Sequence, residues 1–290
     1  MIMPKTPTGD PRFCLVMSLV ISLLFIPSAY PGGEAITAES QAANDIRIVH
    51  VTNAGFLVMI GGKKVLIDAL IDPISPEEPP PEVLERLETG QAPFDSLDLI
   101  LATHKHHDHF RAESVLRALA HNPNAVFIST PQALSEFQAH SAALAPVQDR
   151  IRHVDLPADS SAEFEIHGLT VRIMSTDHGS SAWIQNYMYL VSSSSGSIFH
   201  EGDAEVVRFL DRHDFSVDSI DVAFVNPGLL MRPEFLRQIE SVLRPRHLIP
   251  MHITAERREY ADAMLAPLIR TRDNVHYLRD CLESITIAAK

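Results

Sequence analysis

The chain has 290 residues, 46% of them hydrophobic and 21% charged, which suits a globular protein able to bury a sizeable core. The formal net charge is −13. With no basic excess to release counterions, a nucleic-acid backbone is excluded as the main partner. A small anionic substrate stays compatible, because bound metal ions reverse the local sign.

The N-terminus reads as a targeting segment. Lys5 and Arg12 precede an apolar run over residues 13–26, broken only by Ser18 and Ser22, and Pro27, Ser28 and Ala29 follow. This is the pattern of a secretory signal, with cleavage near Ala29 or Ala35. Residues 1–35 are thus expected to be a signal peptide, or an N-terminal anchor if uncleaved. The run is shorter than the roughly twenty apolar residues that a transmembrane helix needs. The expected destination is periplasmic or extracellular, and a membrane is a partner only if the segment stays attached. Of the two cysteines, Cys14 and Cys281, only Cys281 would survive cleavage, so no intramolecular disulfide is expected and cysteine is not the metal-ligand type here.

Residues 36–44 are small and polar and read as a linker to a single domain over 44–290. Residues 46–51, 56–60 and 63–68 read as strands joined by the turn Thr52-Asn53-Ala54-Gly55 and by Gly61-Gly62, which argues for an antiparallel start. Residues 72–93 carry five prolines before Val83 and read as a surface loop or a substrate-shaping flap, with a short helix over 82–88. A strand is expected over 97–102, then a helix with Val115, Leu116 and Leu119 on one face, a strand over 125–129 and a helix over 132–141. Further strands are expected over 151–156, 163–167, 170–174, 188–191, 198–201, 221–225, 246–250, 275–278 and 284–287. Helices are expected over 205–212, 233–243 and 255–269. Both halves mix the two element types, so an α/β (α+β) architecture of two facing sheets with helices outside both would bury these patterns.

The stretch that carries chemistry is Thr103-His104-Lys105-His106-His107-Asp108-His109, which lies between the strand over 97–102 and the helix after it. A loop at a strand end is where a scaffold aims several side chains at one point. Neutral imidazoles and carboxylates suit Zn²⁺, Mn²⁺ and Fe. The plainer readings are a solvated histidine-rich loop and a helix cap at Asp108.

These residues match T-H-x-H-x-D-H, the mark of the metallo-β-lactamase-fold hydrolases, with Lys105 and His107 in the free positions. The resemblance runs from about Asn44 to the C-terminus. It implies a four-layer αββα sandwich and a dinuclear site whose remaining ligands are a lone His, a bridging Asp and a late His. His178 in Ser175-Thr176-Asp177-His178, Asp203 in His200-Glu201-Gly202-Asp203 and His252 in Pro250-Met251-His252 fill those places. Asp177 is the close rival of His178. The resemblance therefore implies His104, His106 and His178 on one metal, Asp108, His109 and His252 on the other, and Asp203 between them. Asp68 corresponds to a strand-end Asp that supports the ligand loop. His107 and His200 adjoin ligands, and the other histidines read as ordinary.

The implied activity is hydrolysis by a metal-bridging hydroxide, with Asp108 and Asp203 as its catalytic carboxylates and two divalent ions as cofactors, zinc first and manganese or iron as alternatives. Asp203 argues against a true β-lactamase, whose corresponding place is usually not Asp. The runs Thr52–Val58, Val65–Asp68 and Ile249–His252 look like the branch of ascorbate-6-phosphate lactonase-like proteins, which act on lactones or phosphodiesters. Asn186-Tyr187 departs from the Asn-Gly common there. No arginine or lysine cluster in the sequence announces a phosphate pocket, with Arg232 and Lys105 the nearest candidates. The expected function is hydrolysis of an ester, lactone or phosphodiester small molecule. The alternatives are a non-catalytic metal-binding or interaction protein on the same fold and a membrane-associated lipid phosphodiesterase.

Overall fold

The computed structural model describes residues 45–72, 79–204, 206–216 and 219–288. The expected targeting segment and linker, and the proline-rich part of the expected flap over 73–78, lie outside the described residues.

The chain opens with β1 (Ile46–Thr52), β2 (Gly55–Ile60) and β3 (Lys63–Ile67), an antiparallel meander as the short turns predict. Then come α1 (Pro81–Glu88), β4 (Leu99–Leu101), α2 (Ala112–His121), β5 (Val126–Ser129), α3 (Pro131–Ser135), α4 (Ser141–Leu144) and β6 (Ile151–His153). The second half contributes β7 (Ser161–Ile166), β8 (Leu169–His178), β9 (Ser181–Ser193), β10 (Gly196–His200) and β11 (Val222–Val225). It ends with α5 (Pro227–Leu230), α6 (Pro233–Val242), β12 (His247–Pro250), α7 (Arg258–Thr271) and β13 (Ser284–Ile287).

The strands form two sheets, a seven-stranded one in the order β13-β1-β2-β3-β4-β5-β6 and a six-stranded one in the order β12-β11-β10-β9-β8-β7. Strand alternation explains the layers. On β2, Phe56, Val58 and Ile60 point into the core between the sheets, while Leu57 points to the outer cluster with Val83, Val115 and Leu119 of α1 and α2. On β11, Val222 and Phe224 face inward while Ala223 and Val225 face Leu236 and Ile239 of α6. Phe56 and Phe224 meet across the sandwich with ring centroids 4.4 Å apart. The result is the αββα arrangement, and helices α1 and α2 are tied together by the buried Glu88, which accepts from Ser114 and pairs with Arg117.

Several elements differ from expectation. The helix over 132–141 is broken into α3, a 3₁₀ turn over Glu136–His140 and α4, because Ala133 and Phe137 are the only apolar residues it buries there. The expected helix over 205–212 is reduced to a 3₁₀ turn at Val206–Arg208. Val206, Val207, Phe209 and Leu210 are all buried there, while Arg208, Asp211 and Arg212 are exposed. Residues 275–278 make a single bridge from Val275 to Leu248 instead of a strand. Strands β8 and β9 are longer than expected and form a ribbon that runs past the core to His178.

β3 and β4 are parallel, as are β10, β11 and β12. β8 is antiparallel to β9, which is antiparallel to β10, so β8 and β10 run the same way. The C-terminal ends of β3 and β4 thus share one edge of the first sheet, and those of β8, β10 and β12 share one edge of the second. Loops leaving such an edge converge, the usual place for a ligand site in α/β folds.

Candidate metal centre

The residues singled out from the sequence leave these strand ends. Asp68 follows β3, the His104–His109 loop follows β4, His178 is the last residue of β8, Asp203 follows β10 and His252 follows β12. The fold brings His104, His106, His178 and Asp203 into one group and Asp108, His109 and His252 into a second, with potential ligand atoms within 4.8 Å of one another in each.

Asp203 sits between the groups. Its Oδ2 lies 3.1 Å from His178 Nε2 and 3.9 Å from His104 Nε2, while its Oδ1 lies 3.2 Å from His109 Nε2 and 3.3 Å from His252 Nε2. Asp108 Oδ2 lies 3.3 Å from His252 Nε2 and 3.6 Å from His109 Nε2. His106 Nδ1 is 2.9 Å from His104 Nε2. Asp177, the rival of His178, points away: it is exposed on the opposite face of the strand.

The donor set fits divalent ions. His109 Nε2, His178 Nε2, His252 Nε2 and Asp203 Oδ1 are buried and without a hydrogen-bond partner, although they face one another. Buried polar atoms in native proteins are normally satisfied, so four orphans aimed at one space call for an ion.

The surroundings hold these groups in place. Asp68 is 1% exposed; its carboxylate accepts from Thr103 N and Thr103 Oγ1, each at 2.7 Å, and lies 2.7 Å from His109 Nδ1. That contact turns Nε2 of His109 toward Asp203. Ser180 N donates to His178 Nδ1 at 3.2 Å, which turns His178 the same way. Asp68 and His252 have φ of 48° and 62°, a left-handed conformation that non-glycine residues adopt at a cost of order 1–3 kcal/mol. Gly202, at φ 60°, lets the chain pass where a Cβ would meet Asn186 Oδ1 at 2.5 Å.

Electrostatics follow from crowding. Desolvation, with repulsion from His109, pushes His104 far down toward its neutral form. For Asp203, burial raises the pKa, but the combined pull of His109, His178 and His252 outweighs it and holds the carboxylate ionised. Burial likewise opposes the charge on His252, yet Asp108 and Asp203 lift it to about 9. His109 is raised well above its ordinary value against desolvation, by Asp203 and Asp68.

Two residues to which the sequence reading assigns no role at the centre also contribute. Asn53, read as part of a turn, donates from Nδ2 to Asp108 Oδ2 at 3.2 Å, and its carbonyl accepts from His252 N at 3.0 Å. Asn186, buried mid-strand in β9, accepts from Asp203 N and donates to the Glu201 carbonyl at 3.0 Å each, fixing the Glu201–Asp203 turn. A polar residue at the head of the apolar run over 187–191 was the available signal for Asn186. His107 is exposed, and His200 spends its Nε2 on the Ala54 carbonyl at 3.0 Å, a packing role.

Comparison with known proteins agrees with this geometry. Residues 63–266 match the family described as a beta-lactamase superfamily domain. A curated relative, a UPF0173 metal-dependent hydrolase of Pyrobaculum arsenaticum, is 27% identical over 203 residues, 69% of this chain and 80% of its own. Among solved structures, Igni18, a metallo hydrolase of Ignicoccus hospitalis, is similar with a TM-score of 0.53 and 17% identity over 85% of this chain and all of its own. CmlA, a diiron β-hydroxylase of Streptomyces venezuelae, is similar at a TM-score of 0.52 and 13% identity, over 86% of this chain and 55% of its own. At these identities the two solved structures speak for the fold. The family match over more than two thirds of the chain shows that the protein belongs to the metallo-β-lactamase superfamily of metal-dependent hydrolases.

Proposed function

We propose that the protein is a dinuclear metal-dependent hydrolase of a small ester, lactone or phosphodiester. The observation that carries the reading is Asp203, whose two oxygens face the two histidine groups separately. His104, His106 and His178 would hold one ion, Asp108, His109 and His252 the other, and Asp203 would bridge them. Two such ions supply an activated water at neutral pH and a Lewis acid for the carbonyl or phosphoryl oxygen.

The chain's own residues do the rest. Asp68 and Ser180 fix the imidazole orientations. Asp108, held by Asn53 and kept ionised by His252 and His109 against its partial burial, is the carboxylate placed to orient the attacking water and pass a proton to the leaving group. Histidine and carboxylate ligands suit zinc, manganese and iron alike; zinc is the first proposal, with manganese and iron as its alternatives. The runs Thr52–Val58 and Ile249–His252 favour the lactonase-like branch, and the apolar run over 13–26 supports export from the cytoplasm. N-terminal sequencing of the mature protein tests that export.

The test of the activity is a screen of lactones, aryl esters and phosphodiesters on metal-loaded protein, followed by Asp203→Asn. Loss on the order of a thousandfold with the fold retained supports the reading. Wild-type hydrolysis in the variant refutes it.

A further inference from the structure

A cavity of about 470 Å³ opens beside the metal centre, on the His178 and Asp203 side. That size holds a small organic molecule. Two of its walls are apolar, Val207 with Leu229 and Phe235, and two arginines line it, Arg208 and Arg232. They stand 24 positions apart in sequence and are brought together by the turn after β10 and the start of α6. Among the described residues lining the cavity the one carboxylate is Asp203, whose oxygens face the histidines.

The amide side chains of the lining are already engaged. Asn226 Oδ1 accepts from Gly228 N at 2.9 Å, and Gln238 Nε2 donates to the Val207 carbonyl at 3.1 Å. Arg232 is different. Its guanidinium lies over the Phe235 ring, 5.2 Å from the centroid, and pairs with no carboxylate among the described residues. Stacking holds the planar fork in place while leaving its N–H groups to donate to a ligand. In a chain of net charge −13, a cationic wall next to a metal centre is a local reversal of sign.

We propose that this cavity binds the non-reacting end of the substrate, a carboxylate or phosphate monoester carried on a short apolar arm, with Arg232 as its counter-charge. The scissile bond would lie at the metals and the arm along Val207, Leu229 and Phe235. This rests on the hydrolase reading above and narrows its substrate class to doubly functional anions.

The experiment uses metal-loaded protein and p-nitrophenyl esters whose acyl arm ends in a carboxylate, a phosphate or a neutral carboxamide. The anionic esters should exceed the carboxamide at least about tenfold in kcat/KM, mainly through KM. Arg232→Ala and Arg232→Gln should erase that preference, bringing the anionic esters down to the level of the carboxamide, while Arg232→Lys keeps part of it. The better of the two anionic arms identifies which oxyanion the site takes. A second readout needs no turnover: benzoate and phenyl phosphate, with benzamide as control, are titrated calorimetrically into wild type and Arg232→Ala. Arg232-dependent binding of the anions without hydrolysis of any ester would keep the pocket and sink the hydrolase. Equal rates on all three esters, or anion binding indifferent to Arg232, would overturn the pocket.

Discussion

Replacing Asp68 by Asn tests how the fold prepares the metal centre. The change is isosteric, and Asn tolerates the left-handed φ of 48° at this position, so the backbone keeps its course. What changes is the charge and one acceptor. Asp68 Oδ1 would still accept from Thr103 N, but an amide NH₂ would take the place of Oδ2, 2.7 Å from both Thr103 Oγ1 and His109 Nδ1. A donor facing His109 favours protonation of Nε2 in place of Nδ1, and Nε2 is the atom aimed at Asp203. Losing such a partner costs about 10–100-fold in metal affinity, or about 1.4–2.7 kcal/mol. The assay is competition against a chromophoric chelator, which resolves the two binding steps. The second group, with His109, should weaken by that factor, while the His104, His106 and His178 group changes less. If both steps keep wild-type affinity in Asp68→Asn, the orienting role assigned to Asp68 is wrong.

Gly202→Ala should destabilise the protein by about 2 kcal/mol or more, because a Cβ at φ 60° would press on Asn186 Oδ1 and Thr103 Cβ; thermal melts read the loss, and an unchanged midpoint contradicts it. Metal loading at pH 7.5 should release protons, since Asp108 and Asp203 hold His252 up to about 9 in the metal-free protein and the ligand form is neutral. Between the unfolded value near 6.5 and about 9 the metal-free fold binds the extra proton, so its stability from His252 falls as pH rises through that window while metal affinity climbs. Calorimetry in buffers of different ionisation enthalpy measures the release, and a pH-independent affinity from 6.5 to 9 would refute it.

The layers of the fold were legible because strands buried on both faces leave short continuous apolar runs, as in β2 and β11, whose residues face the inner and outer clusters in turn. The outer half of the β8–β9 ribbon was not. Ser181 to Gln185 pack on no core, so no alternation marks them as strand. The site was legible where one loop carries several ligands in a row. The single histidines, His178 and His252, were found only through their order along the chain in a known family. Asn53, Asn186 and Ser180 were missed because their roles are backbone and ligand orientation, which depends on where a turn ends in space. The pairing of Arg208 with Arg232 belongs to the same class: nothing local in either segment announces the other.

Metal content per chain of the protein, purified without chelator, tests the central claim most directly. The account predicts about two zinc, manganese or iron ions per chain, falling in Asp203→Asn. A value near zero that persists after metal is added back would contradict it and leave a shared fold without its chemistry.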